Sequence, residues 1–178
     1  MAEFATDLPE PFLTQPIQYL SRTRSWYSAM GYEAYRWPHH EEVPFAPLSK
    51  PLAACRVGLV TTAAPHQPDK GDQGPGAPYN GSAKFFDVYT SSIVDPADVR
   101  ISHIGYDRVH SKADDANTWF PLPRLLEAVD AGRIGSLTAR FYGAPTVRRV
   151  RSTTEVHAPE IVAALEADDA DVALLVPT

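Results

Sequence analysis

The sequence predicts an α/β protein, a three-layer sandwich around a mainly parallel sheet with an N-terminal arm rich in aromatic residues and proline. A continuous apolar and β-branched run, CRVGLVTTAA at residues 55–64, is typical of a strand covered on both faces. Further strand patterns alternate with helix patterns, as in parallel α/β folds. A chain of 178 residues, 44% of them hydrophobic, is long enough to bury one substantial core.

The predicted arm spans residues 1–54, and the predicted core spans 55–178 as one folding unit. Residues 16–32 carry apolar side chains at spacings of three to four, which predicts one or two short helices that pack on the core. The segment that follows contains too many prolines for a helix or a central strand and is expected to be extended. These prolines are Pro38, Pro44, Pro47 and Pro51.

Within the core, residues 65–82 are rich in glycine and proline and lack both glycine-based phosphate-binding motifs. This composition indicates a mobile loop, which we interpret as a candidate lid over substrate. The last predicted strand, 171–177, is expected to be buried like the first. The other predicted elements are strands at 85–93, 99–105 and 136–145 and helices at 121–135 and 158–169.

The composition argues against several classes of partner. A formal charge of −6 disfavours nucleic acid and anionic membranes, although the arginine-rich run at 148–151 is either a solvated strand edge or a clamp for an anionic substrate or partner. No apolar stretch reaches membrane-spanning length and the acidic N-terminus is not a signal peptide, so a cytoplasmic protein is expected. The single cysteine, Cys55, cannot form an internal disulfide and is expected to be a buried, inert thiol.

Ligands of parallel α/β sheets bind outside the carboxyl ends of the strands. Thr61, Thr62 and His66 directly follow the first predicted strand and are therefore candidates for positioning a small-molecule substrate. A second polar segment, residues 102–121, follows another predicted strand and is dense in ionisable groups.

Three interpretations of this second segment stay open. A histidine beside carboxylates is suited to acid–base catalysis. His103 and His110 with nearby aspartates would instead suit a metal-dependent hydrolase, although no metal signature or other cofactor motif is present. In the third interpretation, Asp114 or Asp115 and Asn117 only make turn and cap hydrogen bonds ahead of the next helix.

The chain resembles the selenoprotein B family, the substrate-reducing subunits of glycine, sarcosine and betaine reductases and of D-proline reductase. The resemblance extends from about Arg22 onward. Its most specific part is ISHIGYDR with DDANTWFPLPRLLEAVDAGRIGSL. Further similar segments are RTRSWYSAMGY, VPFAPLSKPL, RVGLVTTAAPH and HAPEIVAALEADDADVALLVP.

The resemblance implies a reductase that cleaves a C–N bond of a small amino acid or amine. A selenocysteine or cysteine nucleophile is expected shortly after a strand like DVALLVP, where this sequence stops. We therefore expect an in-frame UGA codon directly after the Thr178 codon and a longer protein, which reading the genomic DNA checks. The alternative is a noncatalytic α/β binding or assembly module without the nucleophile.

The resemblance also implies roles for particular residues. His103 and Asp107 would line the site and protonate the leaving group, while Tyr106, Asp115 and Asn117 would hold the loop or position substrate. A selenolate is useful there because the anion is the nucleophile. The implied partner is a thiol or selenol reductant protein, and a homo-oligomer is left open.

Overall fold

The computed structural model describes residues 18–34, 37–74, 77, 80–101, 106, 113–146 and 149–177. The chain divides into two compact units, Met1–Pro44 and Phe45–Thr178. The first contains helix α1 (Tyr19–Ala29), whose side chains are exposed or half-buried, and the rings of Trp26 and Tyr27 meet edge to face at 5.9 Å. The helix predicted within 16–32 is thus confirmed.

The second unit is built on a mixed five-stranded sheet. Strand β1 (Arg56–Thr61) is at its centre, and its last five residues are buried, as the apolar run predicts. Along one edge β1 pairs in parallel with β7 (Val172–Val176). The other edge pairs, again in parallel, with β5 (Ser136–Leu137) and then β6 (Arg140–Gly143), so these two short strands act as one interrupted strand.

Strand β3 (Tyr89–Ser92) pairs antiparallel with β6, which makes the sheet mixed although three of its four pairings are parallel. A separate two-stranded ribbon joins β2 (Ala64–Pro65) to β4 (Val99–Arg100), again antiparallel. The predicted strand at 99–105 thus contributes only its first two residues to this ribbon, and residues 102–105 lie outside the described part of the chain. The α/β class is confirmed.

Helices pack on both faces of the sheet. Helix α2 (Leu122–Asp130) lies on the face that carries Leu59 and Phe141. Helix α3 (Ala158–Ala167) places Ile161 and Leu165 against the opposite face. A Cβ atom added at Gly58 would collide with the Leu165 side chain, so this close packing requires glycine in the central strand.

One expectation for the core needs correction. Strand β7 is not buried: Ala173, Leu174 and Leu175 are exposed, because β7 lies at the sheet edge with β1 as its one strand partner in the described chain, and α3 packs over the neighbouring strands. The glycine- and proline-rich loop contains ordered turns at Pro68–Lys70 and Gly81–Ala83.

Side-chain hydrogen bonds to backbone hold this loop together. The Gln73 amide is buried and donates to the carbonyl oxygens of Gln67 (2.6 Å) and Gly71 (3.0 Å), and the Asn80 amide donates to the Lys70 carbonyl (2.6 Å). These bonds join residues two to ten positions apart within the loop, and its mobility and its role as a lid stay predictions. No helix in the described ranges is long and apolar enough to cross a membrane.

Candidate functional site

The candidate site is the edge of the sheet at which the parallel strands β1, β6 and β7 all end. The Ala144 N–H donates to the Thr61 carbonyl at 2.8 Å, and the Thr62 N–H donates to the Val176 carbonyl at 3.4 Å. These bonds bring the residues that follow three separate strands to one carboxyl edge, the usual location of ligands in such sheets. We call this region the carboxyl edge.

Thr61 lies inside the fold at this edge. Its side chain is 1% exposed, and its hydroxyl donates to the Trp119 carbonyl at 3.1 Å and accepts from the Ala63 N–H at 3.1 Å. The hydroxyl thereby joins β1 to the segment that leads into α2. Thr62, by contrast, is half-buried. A substrate-positioning role for either threonine stays a prediction, and the contacts of Thr61 show a structural role.

His66 lies next to the β2–β4 ribbon rather than in the main sheet. The backbone N–H of His66 donates to the Asp98 carbonyl at 2.7 Å. The imidazole Nδ1 is 3.5 Å from the Asp98 carboxylate, which also pairs with Arg100. The imidazole is about one-third exposed. This contact with Asp98 fastens the turn after β2 to the start of β4, and a substrate-positioning role for His66 stays a prediction.

The turn at Ala116–Thr118 is held by Asp115. Its carboxylate accepts hydrogen bonds from the Asn117 backbone N–H (2.9 Å) and side-chain amide (2.7 Å), and these bonds lower the pKa of Asp115. The Thr118 hydroxyl donates to the Asp115 carbonyl at 2.8 Å and lies 3.4 Å from the Tyr106 hydroxyl. The predicted turn and cap role of Asp115 and Asn117 is therefore present, and substrate contact by these residues and Tyr106 stays a prediction.

Two residues near the carboxyl edge were missed by the sequence analysis. Thr146, three residues after β6, is 8% exposed, and His157, directly before α3, is half-buried. The Thr146 Oγ1 and the His157 Nδ1 are buried without a hydrogen-bond partner in the described part of the chain, as is the Asn117 Oδ1. Buried polar atoms are normally paired, so unpaired ones mark a place that a ligand or water can fill.

The comparisons with known proteins concern most of the chain. A family model described as glycine/sarcosine/betaine reductase selenoprotein B matches residues 30–178. The chain belongs to this family. Neither the curated proteins nor the solved structures compared with the chain give a significant match. Membership confirms the resemblance drawn from the sequence motifs and indicates a selenoprotein B-like role in an oxidoreductase.

In this selenoprotein B family member, Cys55 is remote from the carboxyl edge. It precedes the first residue of β1, at the opposite end of the strand, and is 1% exposed. Its thiol donates to the carbonyl oxygens of Pro51 (3.4 Å) and Lys50 (3.6 Å). The expectation of a buried cysteine is confirmed, and a thiol so placed is closed to a substrate in solution.

The predicted catalytic residues His103 and Asp107 lie outside the described residues, as does His110. Among the described residues, no group of three histidine, cysteine, aspartate or glutamate side chains is arranged to hold a metal ion. The roles of His103 and Asp107 therefore stay predictions.

Two open grooves lie at the amino end of the sheet, with cavity volumes of about 280 and 370 Å³, and Arg56 and Ser136 line both. Their charged groups are paired with each other: Lys50 Nζ lies 2.7 Å from the Asp171 carboxylate, and Arg56 lies 3.3 Å from Asp169. We interpret these grooves as clefts between structural ion pairs, because ligands of parallel sheets bind at the other end of the strands.

Proposed function

We propose that this protein is the substrate-binding part of a selenol- or thiol-dependent reductase that cleaves the C–N bond of a small amino acid or amine. The proposal rests on family membership together with one structural observation, the convergence of three strand ends at the carboxyl edge. It is supported by the buried polar atoms that have no hydrogen-bond partner among the described residues. Such groups can orient a small polar molecule, which takes the place of water at the site when it binds.

The nucleophile is proposed to come from outside residues 1–178. Cys55 is the single cysteine of the sequence and lies buried at the opposite end of β1. Residues 1–178 therefore contribute the groups that bind and orient the substrate, and the selenolate or thiolate reaches the carboxyl edge from a further segment or a partner.

The chemistry would proceed in two balanced steps. The chalcogen anion attacks the carbon that bears the amine, a chalcogen–carbon bond forms, and the amine leaves with the electrons of the C–N bond. A thiolate then attacks the chalcogen, the carbon leaves with the bonding electrons and takes up a proton, and a second thiol reduces the resulting chalcogen–sulfur bond. A dithiol is thus oxidised to a disulfide as the substrate is reduced. In this scheme His103 and Asp107 supply protons at the site.

The test is amine release by the protein isolated anaerobically from its native cells together with bound partners. With dithiothreitol as reductant, we expect ammonia, methylamine or trimethylamine from glycine, sarcosine or betaine, and loss of this activity after alkylation with iodoacetamide. D-proline, whose ring nitrogen stays attached after C–N cleavage, is followed by the appearance of a primary amine. His103→Gln should strongly reduce turnover, whereas His40→Gln, an exposed residue of the first unit, should not.

The outcome that would contradict the reductase is binding of one of these substrates with no amine released in the presence of its partners. That outcome favours the alternative, a noncatalytic binding or assembly module. The buried position of Cys55 is the observation that keeps this alternative open.

A further inference from the structure

The Thr146 Oγ1 and the His157 Nδ1 are buried polar atoms. Thr146 is more than nine-tenths buried, and the Thr146 Oγ1 and His157 Nδ1 find no hydrogen-bond partner in the described ranges. Leaving a polar atom buried and unpaired is costly, so two such atoms near one edge of the sheet require an explanation.

The register of α3 on the sheet places His157 at the carboxyl edge. The Leu165 side chain packs over Gly58. Ile161, four residues earlier in the helix, lies in the same hydrophobic cluster as Val60, two residues later in the strand. Four residues of helix therefore cover the same length as two residues of strand. The corresponding rises are about 6 Å for four residues of helix and about 6.6 Å for two of strand. One further helical turn brings His157, on the same helix face, to the level of Thr62.

Thr146 lies just beyond this level, in the segment that follows β6. Val60 pairs with Tyr142 and Thr61 with Gly143, so Ala144 lies beside Thr62, and Thr146 follows two residues later. Ala144 also packs against the cluster that contains Ile161, one helical turn beyond His157. The two unpaired groups therefore flank the carboxyl edge on the α3 side.

A π-helical turn at Thr153–His157 precedes α3 and shapes this corner. The Ala158 N–H donates to the Thr153 carbonyl, five residues back, and Pro159 follows with no N–H to donate. Proline inside a helical run crowds the carbonyl four residues earlier, and the wider turn relieves that crowding. Single π turns of this kind occur frequently at functional sites.

The charge of the connecting segment favours an anion. Between Thr146 and His157 the sequence contains three arginines, at 148, 149 and 151, against one glutamate, Glu155. Arg151 is paired with Glu155 at 2.9 Å, while Arg149 is exposed at the start of the helical run. Clustered arginine raises the local concentration of small anions.

We propose that Thr146 Oγ1 and His157 Nδ1 bind the carboxylate of the substrate at the carboxyl edge. Both groups can donate to a carboxylate oxygen, which would satisfy the two buried atoms at once. This inference rests on the proposed function, because it assigns the binding residues for one end of that reductase's substrate. Thr146 and His157 are binding and positioning residues that do not take part in bond cleavage.

The experiment uses sodium acetate as the carboxylate probe and acetamide as its uncharged control. In the 178-residue protein labelled with ¹⁵N at histidine side chains, acetate should shift the Nδ1 resonance of His157, and acetamide should not. Thr146→Val and His157→Gln should each weaken acetate binding about tenfold or more, since each removes one hydrogen bond to a charged group. Thr146→Ser should bind like the wild type, because it keeps the hydroxyl.

The conservative variants separate binding from folding. His157→Asn keeps a polar atom near the position of Nδ1 and should retain most of the affinity, whereas glutamine places it near Nε2. The matched controls Thr90→Val and His40→Gln alter exposed residues and should leave acetate binding unchanged. If Thr146→Val unfolds, as thermal denaturation would reveal, the acetate affinities of the two His157 variants still test the assignment. Equal affinity of wild type, His157→Gln and His157→Asn overturns the assignment.

Failure of this inference and failure of the reductase proposal give different results. If the isolated complex releases amine and Thr146→Val and His157→Gln leave its KM unchanged, the reductase stands and the carboxylate site is wrong. If acetate binding depends on both residues and no amine is released, the site stands and the reductase is wrong. If both are correct, the two variants raise KM by about tenfold or more with a smaller change in kcat.

Discussion

Arg140 and Asp168 are joined by two parallel hydrogen bonds of 2.9 Å, from the guanidinium Nε and Nη2 to the two carboxylate oxygens. The Tyr142 hydroxyl donates to the same carboxylate at 2.6 Å. Arg140 and Tyr142 belong to β6 and Asp168 follows α3, so the three residues fasten the end of the helix to the amino half of the sheet. Such bidentate pairs combine strength with fixed geometry.

Asp168→Asn should lower the free energy of unfolding by about 1–3 kcal/mol, because the amide cannot accept both guanidinium bonds and the Tyr142 hydroxyl loses a charged acceptor. Urea denaturation followed by circular dichroism measures the change. Asp95→Asn, at an exposed loop position, is the matched control and should change stability by less than about 0.5 kcal/mol. A change at Asp168 as small as the control would show that the pair is not stabilising.

Stability should fall in acid through the same carboxylate. Hydrogen bonds from Arg140 are the largest cause that lowers the pKa of Asp168, with a smaller contribution from Tyr142. A carboxyl whose folded pKa is below its unfolded value of about 3.9 contributes stability above that value, and the contribution is lost as pH falls through the folded pKa. The free energy of unfolding should therefore decline below about pH 4, less steeply in Asp168→Asn. Parallel pH profiles would contradict this.

The tight contact of Gly143 with Tyr89 should make Gly143→Ala destabilising. A Cβ atom at Gly143 would overlap the Tyr89 ring, whose hydroxyl donates to the Ala63 carbonyl at 2.7 Å and whose burial raises the pKa of the phenol. Displacing this ring disturbs the aromatic contact with Phe141, at 6.0 Å between centroids. We expect a loss of about 1–3 kcal/mol in urea denaturation.

Gly74→Ala is the control for Gly143→Ala, because its Cβ would meet only an Asp72 oxygen at 3.4 Å, an ordinary contact. Equal free energies of unfolding for the two variants would show that the Tyr89 ring moves aside without a loss of stability.

The Cys55 thiol should be inert in the folded protein. Its burial and its hydrogen bonds to the Pro51 and Lys50 carbonyls imply that reagents reach it only after the fold opens. Its reaction with Ellman's reagent should be at least about a thousandfold slower in buffer than in urea at the same pH. Rapid reaction of one thiol in the folded chain would contradict this prediction and would make Cys55 a candidate nucleophile.

The sequence predicted most elements of the second unit because their patterns are local. The β-branched run of β1 and the leucine stripe of α2 are interpretable without knowing their neighbours. The strand predicted at 136–145 is interrupted at Thr138, whose backbone N–H donates to the Val57 carbonyl at 3.0 Å, and a local pattern does not contain a contact between residues so far apart in the chain. For the same reason the sequence did not show that β3 runs antiparallel to β6.

The candidate site was predictable only in outline. The sequence located polar residues after the first strand, and the structure shows that Thr61 uses its hydroxyl within the core while Asp115 holds a turn. Thr146 and His157 were missed because no motif marks them. The one local signal was a histidine just ahead of Ala158 and Pro159, and it gains meaning only through the packing of α3 on β1.

By itself the sequence determined the α/β class, the family and the buried state of Cys55, since apolar periodicity, motif spacing and hydropathy are properties of neighbouring residues. Only the tertiary structure decided that β7 is an exposed edge strand and that Asp168 meets Arg140. It alone decided that Thr146 Oγ1 and His157 Nδ1 have no hydrogen-bond partner within the described ranges. These features depend on contacts between residues far apart in the chain, whose free energies are set by the packing of whole elements.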